Sequence, residues 1–204
     1  MDGLGDTRSE MTIMKTLTIW RWFIIFWVLG ATKTAWAHDP FLSYTDVLLH
    51  SNEMEVKCSL ACRAALLLLN PNPTNPLPDL DEDNFDFFVP DLKQQGEKLF
   101  EIRAGGTVLA EHAVDVRLNS AADGVDFTII FPRPPAGPLR ISPTYVKRLP
   151  DEGYGTALSV FDEAGRQLAF DANLNLKNMN LNLRIPPPSK LAANDAPQTA
   201  VPSW

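Results

Sequence analysis

Short apolar runs separated by turn residues fill most of the chain beyond its N-terminal segment. Residues 114–118 and 125–131 alternate apolar and polar side chains, as strands with one buried face do. A Ser-Asn pair at 51–52 and a Gly-Gly pair at 105–106 separate neighbouring runs, which indicates two hairpins. Short strands spaced roughly 8–12 residues apart predict a mainly β fold, an antiparallel β-sandwich of the immunoglobulin-like type.

Two segments in the N-terminal half have a different pattern. Residues 61–69 form an apolar run that is consistent with a helix or a buried strand, because periodicity does not separate the two at this length. A proline-rich stretch at 70–78 interrupts regular structure, since proline fixes φ and removes a hydrogen-bond donor. Residues 91–99 predict a short helix capped by Asp91. One or two short helices are therefore expected before the main series of strands.

The parity of the apolar positions changes near the C-terminal end of the predicted domain. Leu174 and Leu176 occupy even positions, whereas the apolar residues from Met179 to Ile185 occupy odd ones. A shift by one residue moves side chains to the opposite face of a strand, so a bulge or a tight turn is predicted at 177–178. Three prolines at 186–188 end the domain, and residues 186–204 are predicted to form a disordered, proline-containing tail.

The N-terminal segment has the order of features found in secretory signal peptides. An apolar run at 22–30 follows Lys15 and Arg21 and precedes an Ala-Trp-Ala sequence at 35–37, which matches a small-x-small cleavage site. The run is shorter than the roughly 20 apolar residues of a membrane span, and an uncleaved signal anchor is the alternative. A signal peptide over 1–37, cleaved between Ala37 and His38, would direct a domain at 38–185 to the periplasm or outside the cell.

The position of the translation start is left open by the sequence. The first ten residues are acidic overall, which is unusual for a signal peptide. Three methionines, Met1, Met11 and Met14, are candidate starts, and either of the later two would give a conventional basic leader.

Composition excludes several classes of partner. The formal net charge is −7, and all of this acidic excess falls after the leader. Nucleic acids and anionic membrane surfaces need clustered Lys and Arg, so neither is an expected partner. After the leader, no apolar run is long enough to predict a membrane span. An unidentified protein partner is compatible with the charge.

Three blocks of the sequence resemble a known family. The first is His-Asp-Pro-Phe-Leu-Ser at 38–43; the second comprises residues 127–131, 134–141 and 148–150; the third is 158–169. These blocks are similar to the soluble extracytoplasmic N-terminal domain of HupE/UreJ-type proteins, which are hydrogenase and urease accessory proteins proposed as nickel permeases. The resemblance implies a free-standing version of that soluble domain without the membrane-helix bundle, so transport is not implied.

A mature N-terminal histidine would be a candidate metal ligand. The free α-amine and the imidazole of His38 can together chelate Cu(II) or Ni(II), which both prefer nitrogen ligands. A second histidine would complete the site, and His112 is favoured over His50 because His50 lies at the far end of the first strand. The alternative is that His38 is a tolerated first residue on a flexible end.

The two cysteines, Cys58 and Cys62, predict a disulfide if the protein is exported. On a straight strand their Cα atoms would be about 13 Å apart, which is too far for a bridge. The pair therefore predicts a bend at 59–61 that brings the two residues together. Two thiolates with His38 would instead suit Cu(I), which prefers soft ligands.

Motifs for catalysis are missing from the sequence, so no enzyme is predicted. The acidic run at 79–84 resembles the opening of a calcium loop, but Asn84 and Pro90 occupy the positions that need glycine and glutamate. Two functions are compatible with these features. One is an exported binding or accessory module that handles copper or nickel through His38; the other is a structural or protein-interaction β-sandwich without a metal.

Overall fold

A computed structural model describes residues 42–150 and 153–187. Within these ranges the chain forms ten strands, two α-helices and two short 3-10 helices. The strands are β1 (Leu42–Leu49), β2 (Glu53–Ala61), β3 (Phe100–Ala104), β4 (Thr107–Val108), β5 (Ala113–Asn119), β6 (Gly124–Pro132), β7 (Gly137–Pro143), β8 (Gly155–Phe161), β9 (Gln167–Asn175) and β10 (Leu181–Ile185). The helices are α1 (Cys62–Leu69), α2 (Phe85–Gly96) and the 3-10 helices Ser120–Ala122 and Thr144–Arg148.

The strands form two sheets. The larger sheet has the order β5-β6-β2-β1-β8-β9, and the smaller has the order β10-β7-β3-β4. Neighbouring strands are antiparallel except for β1 and β8, which are parallel. The predicted mainly β sandwich with two short helices is therefore confirmed, with one parallel pair added.

A single apolar core joins the two sheets and both helices. Strand β6 illustrates how the core is formed: alternate side chains from Val125 to Phe131 are buried, while those between them are partly exposed. Ile102 and Ile141 of the smaller sheet are fully buried in the same cluster. The alternation recognised in the sequence thus corresponds to the inner and outer faces of the sandwich.

Three turns agree with the sequence-based expectations. The pair at 51–52 connects β1 to β2, and the pair at 105–106 connects β3 to β4, both antiparallel. A tight turn follows Asn175, whose side-chain oxygen accepts hydrogen bonds from the N–H groups of Lys177 (2.9 Å) and Asn178 (3.2 Å). The parity of the apolar residues changes at this turn, which connects β9 of the larger sheet to β10 of the smaller one.

The two helices resolve one open prediction and correct another. Residues 61–69 are helical from Cys62 onward, and nearly all side chains of α1 are buried. The second helix does not begin at Asp91 as predicted, but at Phe85, and it contains Pro90. Phe85 is buried in the core, and that packing holds the first turn in place although Pro90 cannot donate a helical hydrogen bond.

The predicted signal peptide at 1–37 and most of the predicted tail at 186–204 lie outside the described residues. Within the described ranges, neither helix has the length and apolar character needed to cross a bilayer.

Candidate functional site

The histidines do not form a metal site in the part of the chain that the structure describes. His38 lies outside the described residues. His112 is exposed immediately before β5, where its N–H donates to the Ile130 carbonyl (2.7 Å). His50 is exposed after β1, with its Nε2 atom 3.3 Å from a carboxylate oxygen of Glu55. Among the described residues, no group of three His, Cys, Asp or Glu side chains could hold a metal ion.

His112 lies at the end of the larger sheet away from the start of β1. The strand registers from β5 to β1 place His112 at the same end of the larger sheet as Leu49. Leu42 begins β1 at the opposite end, about 23 Å away along the strand. Because His38 lies outside the described residues, the predicted pairing of His38 with His112 stays a prediction.

Cys58 lies inside the sandwich among hydroxyl groups. Its side chain is fully buried on β2, beside the hydroxyls of Thr45 and Tyr145. Tyr145 also hydrogen-bonds Ser43, and Thr45 hydrogen-bonds Thr156 with 2.9 Å between the oxygens. We call Ser43, Thr45, Tyr145 and Thr156 the hydroxyl cluster. Burial raises the pKa of the Cys58 thiol to about 12, so this thiol is protonated at neutral pH and shielded from solvent.

Cys62 occupies a different place, at the first residue of α1. Its backbone N–H donates to the Asp123 carbonyl (3.0 Å). Burial and the Asp123 carboxylate raise the pKa of the Cys62 thiol to about 11. Asp123 itself has a left-handed backbone with φ of 47° at the end of the 3-10 helix Ser120–Ala122.

The structure corrects the predicted disulfide. Strand β2 continues through Ala61 without the expected bend at 59–61, and α1 begins only at Cys62. A strand of this length keeps the Cα atoms of Cys58 and Cys62 more than about 10 Å apart, whereas a bridge needs less than about 7 Å. Both cysteines are free thiols in the structure.

Two adjoining cavities lie beside Cys62. The first, of about 570 Å³, lies between α1 and the proline-rich segment; the second, of about 440 Å³, shares Cys62, Leu80 and Asp123 with the first. We call the two cavities together the groove. Its apolar lining includes Leu66, Leu67, Leu77 and Leu80.

Carboxylates surround the groove. Among the described residues, Asp79, Asp81, Glu82, Asp83 and Asp123 line one or both cavities, and Arg63 is the one basic residue that lines either of them.

The acidic segment of the groove has a defined local structure. The Asp81 carboxylate accepts hydrogen bonds from the N–H groups of Asp83 (3.1 Å) and Asn84 (3.0 Å). The Ser120 hydroxyl donates to a carboxylate oxygen of Glu82 (3.0 Å), which ties the segment to the neighbouring 3-10 helix. The segment that resembled the start of a calcium loop thus forms a turn that precedes α2 and one wall of the groove.

Sequence reasoning missed both the groove and the hydroxyl cluster. The Asp-Gly pair at 123–124 was a recognisable turn signal, but nothing local shows that it faces Cys62. The hydroxyl cluster could be recognised more easily in the sequence. Ser43 and Thr45 alternate with the same period as Val47 and Leu49, so all four side chains lie on one face of β1, which is buried.

No protein-family model and no curated protein sequence matches this chain. The resemblance to the HupE/UreJ-type soluble domain therefore stays a prediction from the three sequence blocks.

Proposed function

We propose that this protein is an exported, non-catalytic accessory module whose groove binds a basic, partly apolar segment of a protein partner. The observation that carries the proposal is the composition of the groove, which combines a leucine lining with five carboxylates and one arginine. Export, to the periplasm or the exterior, is supported by the leader-like order of residues at 1–37.

The size and lining of the groove suit side chains of a bound segment. Leu66, Leu67 and Leu80 are largely buried within the protein, but each still contributes to the groove surface. A concave site of a few hundred Å³ with a mainly apolar lining is typical of ligand pockets. Leucine-sized side chains of a partner would remove this apolar surface from water.

Charge selects the kind of segment. The carboxylates of the groove add to an overall charge of −7, so the local potential attracts cations and repels acidic segments. Complementary charge raises association rates and rejects like-charged competitors. Lysine or arginine beside apolar residues is therefore the expected composition of the bound segment.

The surroundings of Cys62 support a binding role over catalysis. A thiol with a pKa of about 11 is protonated at neutral pH and is a poor nucleophile. His50 and His112 lie at the end of the larger sheet where β2 begins, whereas Cys62 follows the end of that strand. Neither histidine can act as a base for Cys62 across the length of β2.

The metal-handling alternative rests on the predicted ligands His38, which lies outside the described residues, and His112. The described residues supply no cluster that could complete a copper or nickel site. The groove therefore favours the second sequence-based alternative, a protein-interaction β-sandwich.

Fluorescence anisotropy tests the proposal with two short labelled peptides, one alternating arginine with leucine and one alternating glutamate with leucine. The purified protein is expected to bind the basic peptide, more weakly at high salt, and not the acidic one. Asp83→Lys should weaken this binding by about three- to tenfold, because it reverses a charge in the groove.

Glu97→Lys is the matched control, since Glu97 is exposed at the end of α2 and does not line the groove. This variant has the same change in charge and should bind like the parent protein. Equal loss of affinity in both variants would show only nonspecific attraction, and absence of binding by the parent protein would contradict the proposal.

A further inference from the structure

The described sheets have four edge strands, and only β5 is both long and regular. Strand β4 has two residues, and β10 is a five-residue strand followed by prolines. Strand β9 has shifts in its register with β8, and Asp171 within it has a φ of 43°. Strand β5, in contrast, pairs with β6 over seven consecutive residues without a shift. An uninterrupted edge of this kind is a template for pairing with another strand.

Helix α2 covers the inner face of β5, and its Lys93 also reaches the Asp115 carboxylate, with 3.8 Å between the atoms. Gly96 lies so close to β5 that an added Cβ would be 2.5 Å from the Val114 side chain. Val116 is buried on the same face. On the opposite face Asp115 and Arg117 form an ion pair with 2.9 Å between the atoms, and their side chains are 48% and 82% exposed.

The backbone of β5 also faces away from β6 at alternate residues. The Ile130 carbonyl of β6 accepts a hydrogen bond from the His112 N–H (2.7 Å), so Ile130 and its partner Ala113 point toward each other, and Val114, the next residue, points toward the edge. In an antiparallel ladder, residues two positions away have the same orientation. Val114, Val116 and Leu118 therefore direct their N–H and C=O groups toward the edge.

We propose that two copies of this chain associate through their β5 strands, antiparallel and centred on Val116, to form one continuous sheet. Around this twofold axis, Val116 lies opposite the second copy's Val116, and Val114 lies opposite the second copy's Leu118. Asp115 then lies opposite the second copy's Arg117, and the same pair occurs again across the axis. The surface is self-complementary, as a twofold interface must be.

Charge selects this register over its neighbours. Centring the pair on Asp115 would place two aspartates opposite each other, and centring it on Arg117 would do the same for two arginines. Like charges directly opposite on neighbouring strands destabilise the pair, whereas opposite charges stabilise it. The register centred on Val116 also pairs all seven residues of β5.

The expected association is weak. A seven-residue strand edge covers less than the roughly 1,000 Å² that stable interfaces need, so a concentration-dependent dimer is expected rather than an obligate one. The proposal does not depend on the groove, because it uses no residue of the groove except Leu118, through its backbone.

Sedimentation equilibrium of the purified protein over a wide concentration range tests the proposal. The parent protein should be a reversible dimer at high concentration. Asp115→Arg and Arg117→Asp should each weaken self-association by roughly tenfold or more, because each places like charges opposite each other. The double variant Asp115→Arg/Arg117→Asp exchanges the charges and should restore it.

The charge exchange separates dimerisation from a general surface effect. A parent protein that stays monomeric, single variants that dimerise normally, or a double variant that stays monomeric would each overturn the proposal. Hydrogen exchange is a second measurement that needs no variant. The amides of Val114, Val116 and Leu118 should become protected as the concentration rises, and protection independent of concentration would likewise contradict the dimer.

Discussion

Cys58 and Cys62 lie on either side of the end of β2, in two regions with opposite properties. Around Cys58, polar side chains are sealed inside the sandwich and bond to one another. Around Cys62, polar side chains border a groove that is open to solvent. Burial is the largest cause of the raised pKa at both thiols; the Asp126 charge adds to it at Cys58, and the charge and hydrogen bond of Asp123 add to it at Cys62.

The difference shows which polar groups can contribute to binding. The hydroxyl cluster satisfies its own hydrogen-bonding capacity, with Ser43 also donating to the Gly155 carbonyl (2.9 Å). Such a network fixes the packing of the core and offers nothing to a ligand. The carboxylates of the groove face water and can exchange it for a cationic partner. Substitutions in the first region should therefore change stability, and those in the second should change binding.

The largest expected effect is that of Tyr145→Ala. The Tyr145 ring is fully buried and packs edge-to-face against Phe100, with 5.8 Å between the ring centres. Removing the ring should lower the free energy of unfolding by about 3–5 kcal/mol, because it leaves a cavity. Urea denaturation would measure this loss.

Tyr145→Phe is the matched control, because it keeps the ring and removes only the hydroxyl. It should cost about 1–2 kcal/mol, because the hydrogen bond between Tyr145 and Ser43 is lost while Ser43 keeps its bond to the Gly155 carbonyl. Similar losses in the two variants would show that the hydrogen bonds, rather than the packing, dominate. A loss below about 1 kcal/mol for Tyr145→Ala would contradict the burial of this ring in the core.

The second effect is a loss of stability at alkaline pH caused by Cys58. The pKa of this thiol is about 12 in the folded protein and 9.0 for an ordinary cysteine. Between these values the unfolded chain loses the Cys58 proton while the folded protein keeps it. The contribution of Cys58 to the free energy of unfolding is therefore fully present below pH 9 and falls as the pH rises toward 12. The slope is about 1.4 kcal/mol for each pH unit.

Urea denaturation at a series of pH values would measure this slope. Cys58→Ala should remove about 1.4 kcal/mol per pH unit up to about pH 12, while Cys62→Ala should remove a similar slope only up to about pH 11. If the parent protein and the Cys58→Ala variant had the same alkaline slope, burial would not raise the pKa of Cys58.

Local chemistry explains what the sequence could predict. The hairpins at 51–52 and 105–106 and the turn after Asn175 depend on residues that are adjacent in the chain. The start of α2 depends instead on the burial of Phe85 against distant strands. A capping rule applied at Asp91 cannot include that packing, so it placed the helix too late.

The candidate site was less predictable than the fold. The cysteine spacing permitted either a bend or a straight strand, and β-pairing of the whole of β2 with β6 selected the straight strand. The groove joins α1, the segment at 73–83 and Asp123, which are separated along the chain. Local periodicity carries no information about such long-range contacts, and it showed only that Ser43 and Thr45 share the inner face of β1.

A smaller effect is expected on the reactivity of Cys62 when Asp123 is changed to Asn. The carboxylate raises the pKa of this thiol, so an uncharged amide of similar size should lower that pKa. At a fixed pH near 8.5 the thiolate fraction should rise several-fold, with an equal increase in the rate of alkylation by iodoacetamide. Mass spectrometry of the modified peptides would report both cysteines in one sample.

Cys58 is the internal control in that experiment, because it does not contact Asp123 and is sealed in the core. Its rate should stay low in both proteins. Equal alkylation rates for Cys62 before and after the substitution would show that Asp123 does not control this thiol.

The smallest expected effect concerns the two aspartates with a positive φ. Asp123 (47°) borders the groove, whereas Asp171 (43°) lies in β9 away from it. Glycine adopts this backbone conformation without strain but loses more entropy on folding, so either Asp→Gly change should alter the free energy of unfolding by at most about 1 kcal/mol. Asp123→Gly should nevertheless weaken binding of the basic peptide, whereas Asp171→Gly should leave it unchanged. Urea denaturation and anisotropy on the same two variants would therefore separate backbone strain from ligand contact, and equal affinities would remove Asp123 from the binding surface.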